Sequence, residues 1–202
     1  MSEPLRVGVL ASGRGSNFRA LAVAAAGGRI PAAVVVLVTD RAGAGALAVA
    51  RELGIEAVVL EPAQHPSREA HEKAVIAALE ERRVGLVCLA GYMRLLSGGF
   101  VAAFPRRILN IHPSLLPAFP GLDAQHQALQ HGVKFSGCTV HFVDENLDAG
   151  PIVKQSVVEV RDNDTAESLS ARILAEEHRI YTEAIRLVLS GAYRIEGRRV
   201  IV

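Results

Sequence analysis

An amide and an imidazole stand two residues apart in the run Leu109-Asn110-Ile111-His112-Pro113-Ser114-Leu115-Leu116-Pro117. In an extended segment, residues i and i+2 project to the same face. Asn110 and His112 then converge on one point, while Ile111 faces the core and the prolines stiffen the exit. An amide N–H beside an imidazole meets the needs of acyl transfer. One group stabilises a developing oxyanion, and the other manages the proton on an incoming or departing amine. The plain alternative is a core strand with two incidentally satisfied polar groups. It is the weaker reading, because burying both without a purpose costs free energy.

An imidazole in that role needs a carboxylate to orient it and stabilise its charged form. Asp148, beside Gly150 and Pro151, is the candidate, although spacing alone does not pair it with His112. Asp144 and Glu145 in the same loop read as solvated acids. His141 lies in an apolar strand and reads as a satisfied core histidine. His65, His71, His126 and His131 lie in polar surroundings and read as solvent-facing, while His178 stays ambiguous.

A second constellation is the turn Ser12-Gly13-Arg14-Gly15-Ser16-Asn17, which opens a helix directly after the first apolar run. Backbone N–H groups and the helix dipole favour an anion there, with Ser16 and Asn17 as added donors. A plain strand-to-helix turn is about as good a reading on this motif alone. As a dinucleotide fingerprint the match is incomplete: Gly13 and Gly15 fit, but Phe18 occupies the third glycine position. Asp40 falls where a ribose-binding acid often sits, so a nicotinamide reading stays open but weakened.

The elements that must position these groups alternate. Residues 5–11, 33–38, 56–60, 84–90 and 107–111 read as strands; 18–26, 45–53 and 68–83 read as helices, the last capped by Ser67. Ala70, Ala74, Ala77 and Ala78 mark a small-residue face on that third helix. The strands are continuously apolar, the pattern of a parallel sheet buried on both faces. The expected fold is α/β, a Rossmann-like doubly wound, mostly parallel sheet with helices on both faces. Residues 135–143 and 152–160 extend it as a candidate antiparallel pair. Asp164 or Thr165 caps a long amphipathic helix ending at Leu189, and residues 193–195 and 200–202 form a terminal hairpin.

Half of the 202 residues are apolar, 21% are charged and the net charge is +1, which excludes a broad field for nucleic acid or an anionic membrane. Cys88 and Cys138 sit in apolar runs and read as buried free thiols in a reducing compartment. No zinc-type spacing and no run near the roughly 20 apolar residues of a membrane span is present. The early first strand leaves no room for a signal peptide, so a cytoplasmic location is expected.

The motifs quoted above, together with Leu89-Ala90-Gly91-Tyr92-Met93-Arg94-Leu95-Leu96, Pro120-Gly121, Gly137-Cys138-Thr139-Val140-His141-Phe142-Val143 and Leu147-Asp148-Ala149-Gly150-Pro151, resemble the phosphoribosylglycinamide formyltransferases. The resemblance covers nearly the whole chain. It implies one formyltransferase domain over residues 1–202, with residues 1–111 as a nucleotide- and phosphate-binding half and 112–202 as a folate-binding and C-terminal half. It implies transfer of the formyl group of 10-formyltetrahydrofolate, a co-substrate, to the glycine amine of 5-phosphoribosylglycinamide in purine biosynthesis, with no metal.

Asn110, His112 and Asp148 would be the catalytic trio, with the carboxylate orienting the imidazole and raising its pKa. Gly15, Ser16 and Asn17 would hold the ribonucleotide phosphate and Glu177 its sugar. The folate would lie against Met93, Arg94, Leu95, Leu96 and Asn110, the loop 145–149, and Arg68 at its outer part. The partners implied are these two small molecules, in a monomer or homodimer. One departure is Gln125-His126, where relatives often place a histidine at the first position. Relatives that formylate methionyl-tRNA usually carry an extra C-terminal domain and formyltetrahydrofolate hydrolases usually an N-terminal regulatory one; neither extra segment is expected at this length. The hydrolase, with water in place of the amine, is the runner-up. An NAD-dependent oxidoreductase is weaker, and a non-catalytic nucleotide-binding module leaves the trio without a use.

Overall fold

A computed structural model describes residues 3–202. The chain divides into two units that part between Leu109 and Asn110. In the first, β1 (Leu5–Leu10), α1 (Ser16–Ala26), β2 (Ala32–Thr39), α2 (Ala46–Leu53), β3 (Glu56–Val59), α3 (Arg68–Glu81), β4 (Leu86–Leu89) and α4 (Gly98–Ala103) follow one another. The strands lie in the order β3-β2-β1-β4, all parallel. Parallel neighbours need crossover connections, and the helices supply them. The side chains of Val7, Val9, Leu10, Val36, Leu37, Val38, Val87 and Cys88 are buried, as the unbroken apolar runs require.

Strand β5 (Ile108–His112) carries the chain across the division. The second unit continues with α5 (Ala124–Gln130), β6 (Phe135–Phe142), β7 (Ile152–Glu159), α6 (Ala166–Ser190), β8 (Arg194–Glu196) and β9 (Arg199–Ile201). Strands β6 and β7 are antiparallel, and β8 and β9 form the terminal hairpin. The doubly wound α/β class, the long C-terminal helix and the hairpin are therefore as expected.

Helix α6 starts at a reciprocal cap. The Thr165 hydroxyl accepts from the Ser168 N–H at 3.2 Å, and Ser168 Oγ accepts from the Thr165 N–H at 3.0 Å. Asp164, the other candidate cap, instead receives the Arg172 guanidinium and the Arg161 N–H. Thr165→Ala is expected to lower stability by about 1 kcal/mol, read as a shifted denaturation midpoint in urea. Leu169, Ile173, Ile180, Tyr181, Ala184 and Ile185 line the buried stripe of α6.

Two expectations are corrected on α3. Its buried face is His71, Glu72, Val75, Ala78 and Leu79, so of the four alanines only Ala78 is inside. His71 is 1% exposed and not solvent-facing; its ring Nε2 donates to the Leu60 carbonyl at 2.9 Å. The helix also ends two residues early, with Arg83 turned into the left-handed region at φ 51°. Helices α4 and α5 and a short 3-10 turn over Pro62–Gln64 had no legible pattern. Two opening glycines and six or seven residues give too little propensity and periodicity to read α4 and α5. Among the described residues, no helix is long and apolar enough to cross a membrane.

Candidate active site

Strand β5 delivers Asn110 and His112 to one side, and both meet Asp148. The Asn110 amide Nδ2 lies 3.4 Å from Asp148 Oδ1, and His112 Nδ1 lies 3.4 Å from Asp148 Oδ2. Both partners of that contact are largely removed from solvent: the His112 side chain is 6% exposed and that of Asp148 is 10% exposed. Residues 38 and 36 positions apart in the chain thus share one carboxylate.

A fourth member was not legible. His141, on β6, is buried and places Nε2 3.1 Å from Asn110 Nδ2 and 3.6 Å from Asp148 Oδ1. Its Nδ1–H donates to the Phe142 carbonyl at 2.9 Å, which leaves a lone pair on Nε2 in the neutral ring. Asn110 therefore faces two acceptors, the His141 lone pair and the Asp148 carboxylate. Only the amide nitrogen fits there, and this fixes the orientation of Asn110. The sequence signal for His141 was a histidine on the strand preceding the Asp148 loop, and an apolar neighbourhood masked it.

The tautomer of His112 is fixed in the same way. Its Nε2–H donates to the Phe119 carbonyl at 2.8 Å. The Ser114 hydroxyl donates to the carbonyls of Ala118 at 2.5 Å and Phe119 at 3.2 Å, tying the loop shut. Nδ1 then carries the lone pair of the neutral ring and points at the carboxylate. A proton arriving at Nδ1 exchanges lone-pair repulsion for a charge-assisted hydrogen bond to that carboxylate.

Asp148 sits in the left-handed region at φ 48°, as does Phe119 at φ 52°. Non-glycine residues adopt this conformation only when their surroundings impose it. Two constraints are visible. The Gly121 N–H donates to Asp148 Oδ2 at 2.9 Å. Two residues on, Gly150 lies so close to β6 that an added Cβ would stand 1.9 Å from the Phe142 carbonyl oxygen. Only glycine lets the loop return at that point.

Burial pushes the His112 imidazole below its ordinary value; the Phe119 carbonyl and the Asp148 charge pull upward without overcoming it, and His141 adds to the lowering. The expected upward pull of Asp148 is thus present but outweighed. For Asp148, burial pushes upward, yet the His141 contact, the Gly121 N–H and the two imidazoles together hold the carboxyl below its usual range. At neutral pH the pair is a neutral imidazole beside a carboxylate. Cys138 offers no competing nucleophile: burial, then the charges of Glu177 and Glu176, push its thiol up to about 12. Among the described residues, no group of side chains is arranged to hold a metal ion.

In the first unit, Gly15 caps α1 in the left-handed region at φ 80°, and an added Cβ would stand 2.7 Å from the Ala46 backbone. Glycine is required there on both counts. No side-chain hydrogen bond caps the α1 N-terminus, and Ser16 and Asn17 are its first two residues, at the positive end of the helix dipole. In the same unit Arg68 reaches the Leu95 carbonyl at 2.8 Å, and Met93 and Leu95 are 53% and 61% exposed. Arg94 is part-exposed and Leu96 half-buried beside them. In the second unit Glu177 is buried on α6.

A family model described as formyl transferase matches residues 5–185. The chain belongs to that family. Phosphoribosylglycinamide formyltransferase of Bacillus subtilis is 42% identical over 90% of this formyltransferase and 93% of its own length. The crystal structure of glycinamide ribonucleotide transformylase 1 from Symbiobacterium toebii superposes with a TM-score of 0.98 at 55% identity, covering 100% of this chain and 95% of the other. The trifunctional purine biosynthetic protein adenosine-3 of Gallus gallus is 45% identical over 96% of this chain, which spans only 19% of that protein. The resemblance read from the motifs is borne out.

Proposed function

We propose that this formyltransferase moves the formyl group of 10-formyltetrahydrofolate to the glycine amine of 5-phosphoribosylglycinamide, a step of purine biosynthesis. The supporting observation is the convergence of Asn110, His112 and His141 on the single carboxylate of Asp148. The relatives of matching length share that activity in their names.

The amine attacks the formyl carbon directly. Its proton passes to Nδ1 of His112, where Asp148 stabilises the resulting imidazolium, and then to N10 of the folate as the C–N bond breaks. The oxyanion is met by Asn110, whose long 3.4 Å contact to Asp148 is the one that can be exchanged for it. His141 keeps hold of the other amide hydrogen and so aims the donor. Direct transfer needs no covalent enzyme intermediate, and trapping a stoichiometric acyl-enzyme during turnover would refute it.

Gly15, Ser16 and Asn17 bind the ribonucleotide phosphate and Glu177 its sugar; Arg68, Met93, Arg94, Leu95 and Leu96 bind the folate. All of residues 1–202 serve this one reaction, in the cytoplasm, in a monomer or homodimer. The decisive assay supplies both substrates and follows formylated ribonucleotide. Release of formate at the same rate without the ribonucleotide would instead establish the hydrolase.

Two further outcomes are expected. Replacing Ser16 and Asn17 together by Ala raises the ribonucleotide KM by about tenfold and leaves the folate KM within about twofold, since on this reading both side chains serve the phosphate end of the ribonucleotide. The acid limb of kcat/KM falls below the ordinary imidazole value, because burial holds His112 neutral to lower pH. As pH drops through that depressed pKa, His112 takes a proton before the amine can supply one. A limb at or above the ordinary value would remove His112 as the base.

A further inference from the structure

We infer that Glu72 is a positioning residue for folate binding, a buried carboxylate that fixes both Arg68 and the loop 91–97; the inference rests on the reading that Arg68 and residues 93–96 contact the folate. Glu72 is 7% exposed on the inward face of α3. Its Oε1 accepts from Arg68 Nε and from the Ser97 N–H, each at 3.1 Å, and Oε2 accepts from the Ser97 hydroxyl. A buried carboxylate is tolerated only when several donors replace its water, and these do so.

The loop needs such an anchor. Residues 91–97 belong to no strand or helix, so no backbone ladder holds them. Their early part is tied by the Met93 N–H to the Ser12 hydroxyl at 2.9 Å. Their later part depends on Glu72 twice: directly at Ser97, and through Arg68, whose Nη2 donates to the Leu95 carbonyl at 2.8 Å. Ser97 also caps α4 through its hydroxyl, accepting from the Phe100 N–H at 3.3 Å, so the start of that helix is set by the same group. The Arg68 side chain remains 48% exposed. It is held from the inner side by Glu72 and bonded to the backbone of the loop whose Met93 and Leu95 side chains are exposed.

Backbone contacts to a flat ring demand placement within a fraction of an ångström, and a floating arginine binds an anion less well than a fixed one. Glu72→Gln keeps the shape, removes the charge and leaves one acceptor for three donors. It should raise the folate KM about tenfold, the size of one charge-assisted hydrogen bond, while the ribonucleotide KM stays within about twofold. Arg68→Lys serves as the second variant: an ammonium cannot bridge Glu72 and the Leu95 carbonyl together, so the folate KM rises here too, by about fivefold.

A folate KM unchanged in both variants, or both substrates' KM values rising in parallel, overturns the inference. The parallel rise is what a merely structural carboxylate would produce. Arg68→Ala separates the two layers. If it leaves the folate KM unchanged, the folate reading itself fails. If it raises that KM while Glu72→Gln does not, only the positioning role of Glu72 fails.

Discussion

Asp148→Asn is expected to lower kcat by about 10³–10⁴-fold while leaving the ribonucleotide KM within about threefold, the pattern of a group needed only as charge develops. The geometry dictates the reason. Asp148 Oδ2 receives the Gly121 N–H at 2.9 Å, so the substituted side chain must keep its carbonyl oxygen there. Its new amide nitrogen then takes the Oδ1 position, 3.4 Å from Asn110 Nδ2, where two N–H donors oppose each other. His112 Nδ1 is left facing a neutral carbonyl and loses the counter-ion for its charged form. The acid limb of kcat/KM moves further down, because the upward pull of the carboxylate is gone. Single-turnover and steady-state rates with both substrates check this, and near-normal turnover would remove Asp148 from the mechanism.

Asn110→Ala should cost about 3 kcal/mol in transition-state stabilisation, or about 10²-fold in kcat, the value of one oxyanion donor. The substitution does more than delete a hydrogen bond. It leaves the buried His141 Nε2 without its donor at 3.1 Å, facing the Asp148 Oδ1 acceptor 3.6 Å away. His141→Gln in the otherwise unchanged chain should cost less, about tenfold, since Asn110 keeps its position on β5 and loses only its aim. If Asn110→Ala and His141→Gln lower kcat equally, Asn110 is not the donor to the oxyanion.

These effects were unequally legible. The order of the strands and of helices α1, α2, α3 and α6 could be read directly, because parallel strands buried on both faces leave unbroken apolar runs such as Val34-Val35-Val36-Leu37-Val38, and because glycines end α1, α2 and α6. The pairing of Asn110 with His112 followed from strand geometry alone: a period of two puts them on one side whatever surrounds them. The glycines of the first turn announced a backbone conformation, and Gly15 at φ 80° against Ala46 shows it was needed.

What the sequence could not carry is everything that depends on contacts between distant segments. Nothing in the spacing joins Asp148 to His112; the loop reaches it through a left-handed residue and the tight return at Gly150, and that path exists only once β6 is formed. His141 is the buried, satisfied histidine expected, but the partners that satisfy it were not legible, and His71 departs from the solvent-facing expectation for the same reason. Local composition measures the average polarity around a residue, whereas a buried ring is decided by the few atoms aimed at its nitrogens. His141 in an apolar strand meets an amide and a carboxylate, and His71 in a polar stretch turns inward to the Leu60 carbonyl. Local periodicity thus determined most of the elements and brought one pair of candidate groups to the same side of a strand. The folded chain decided which proton sits on which nitrogen, because that is set by hydrogen bonds across dozens of residues.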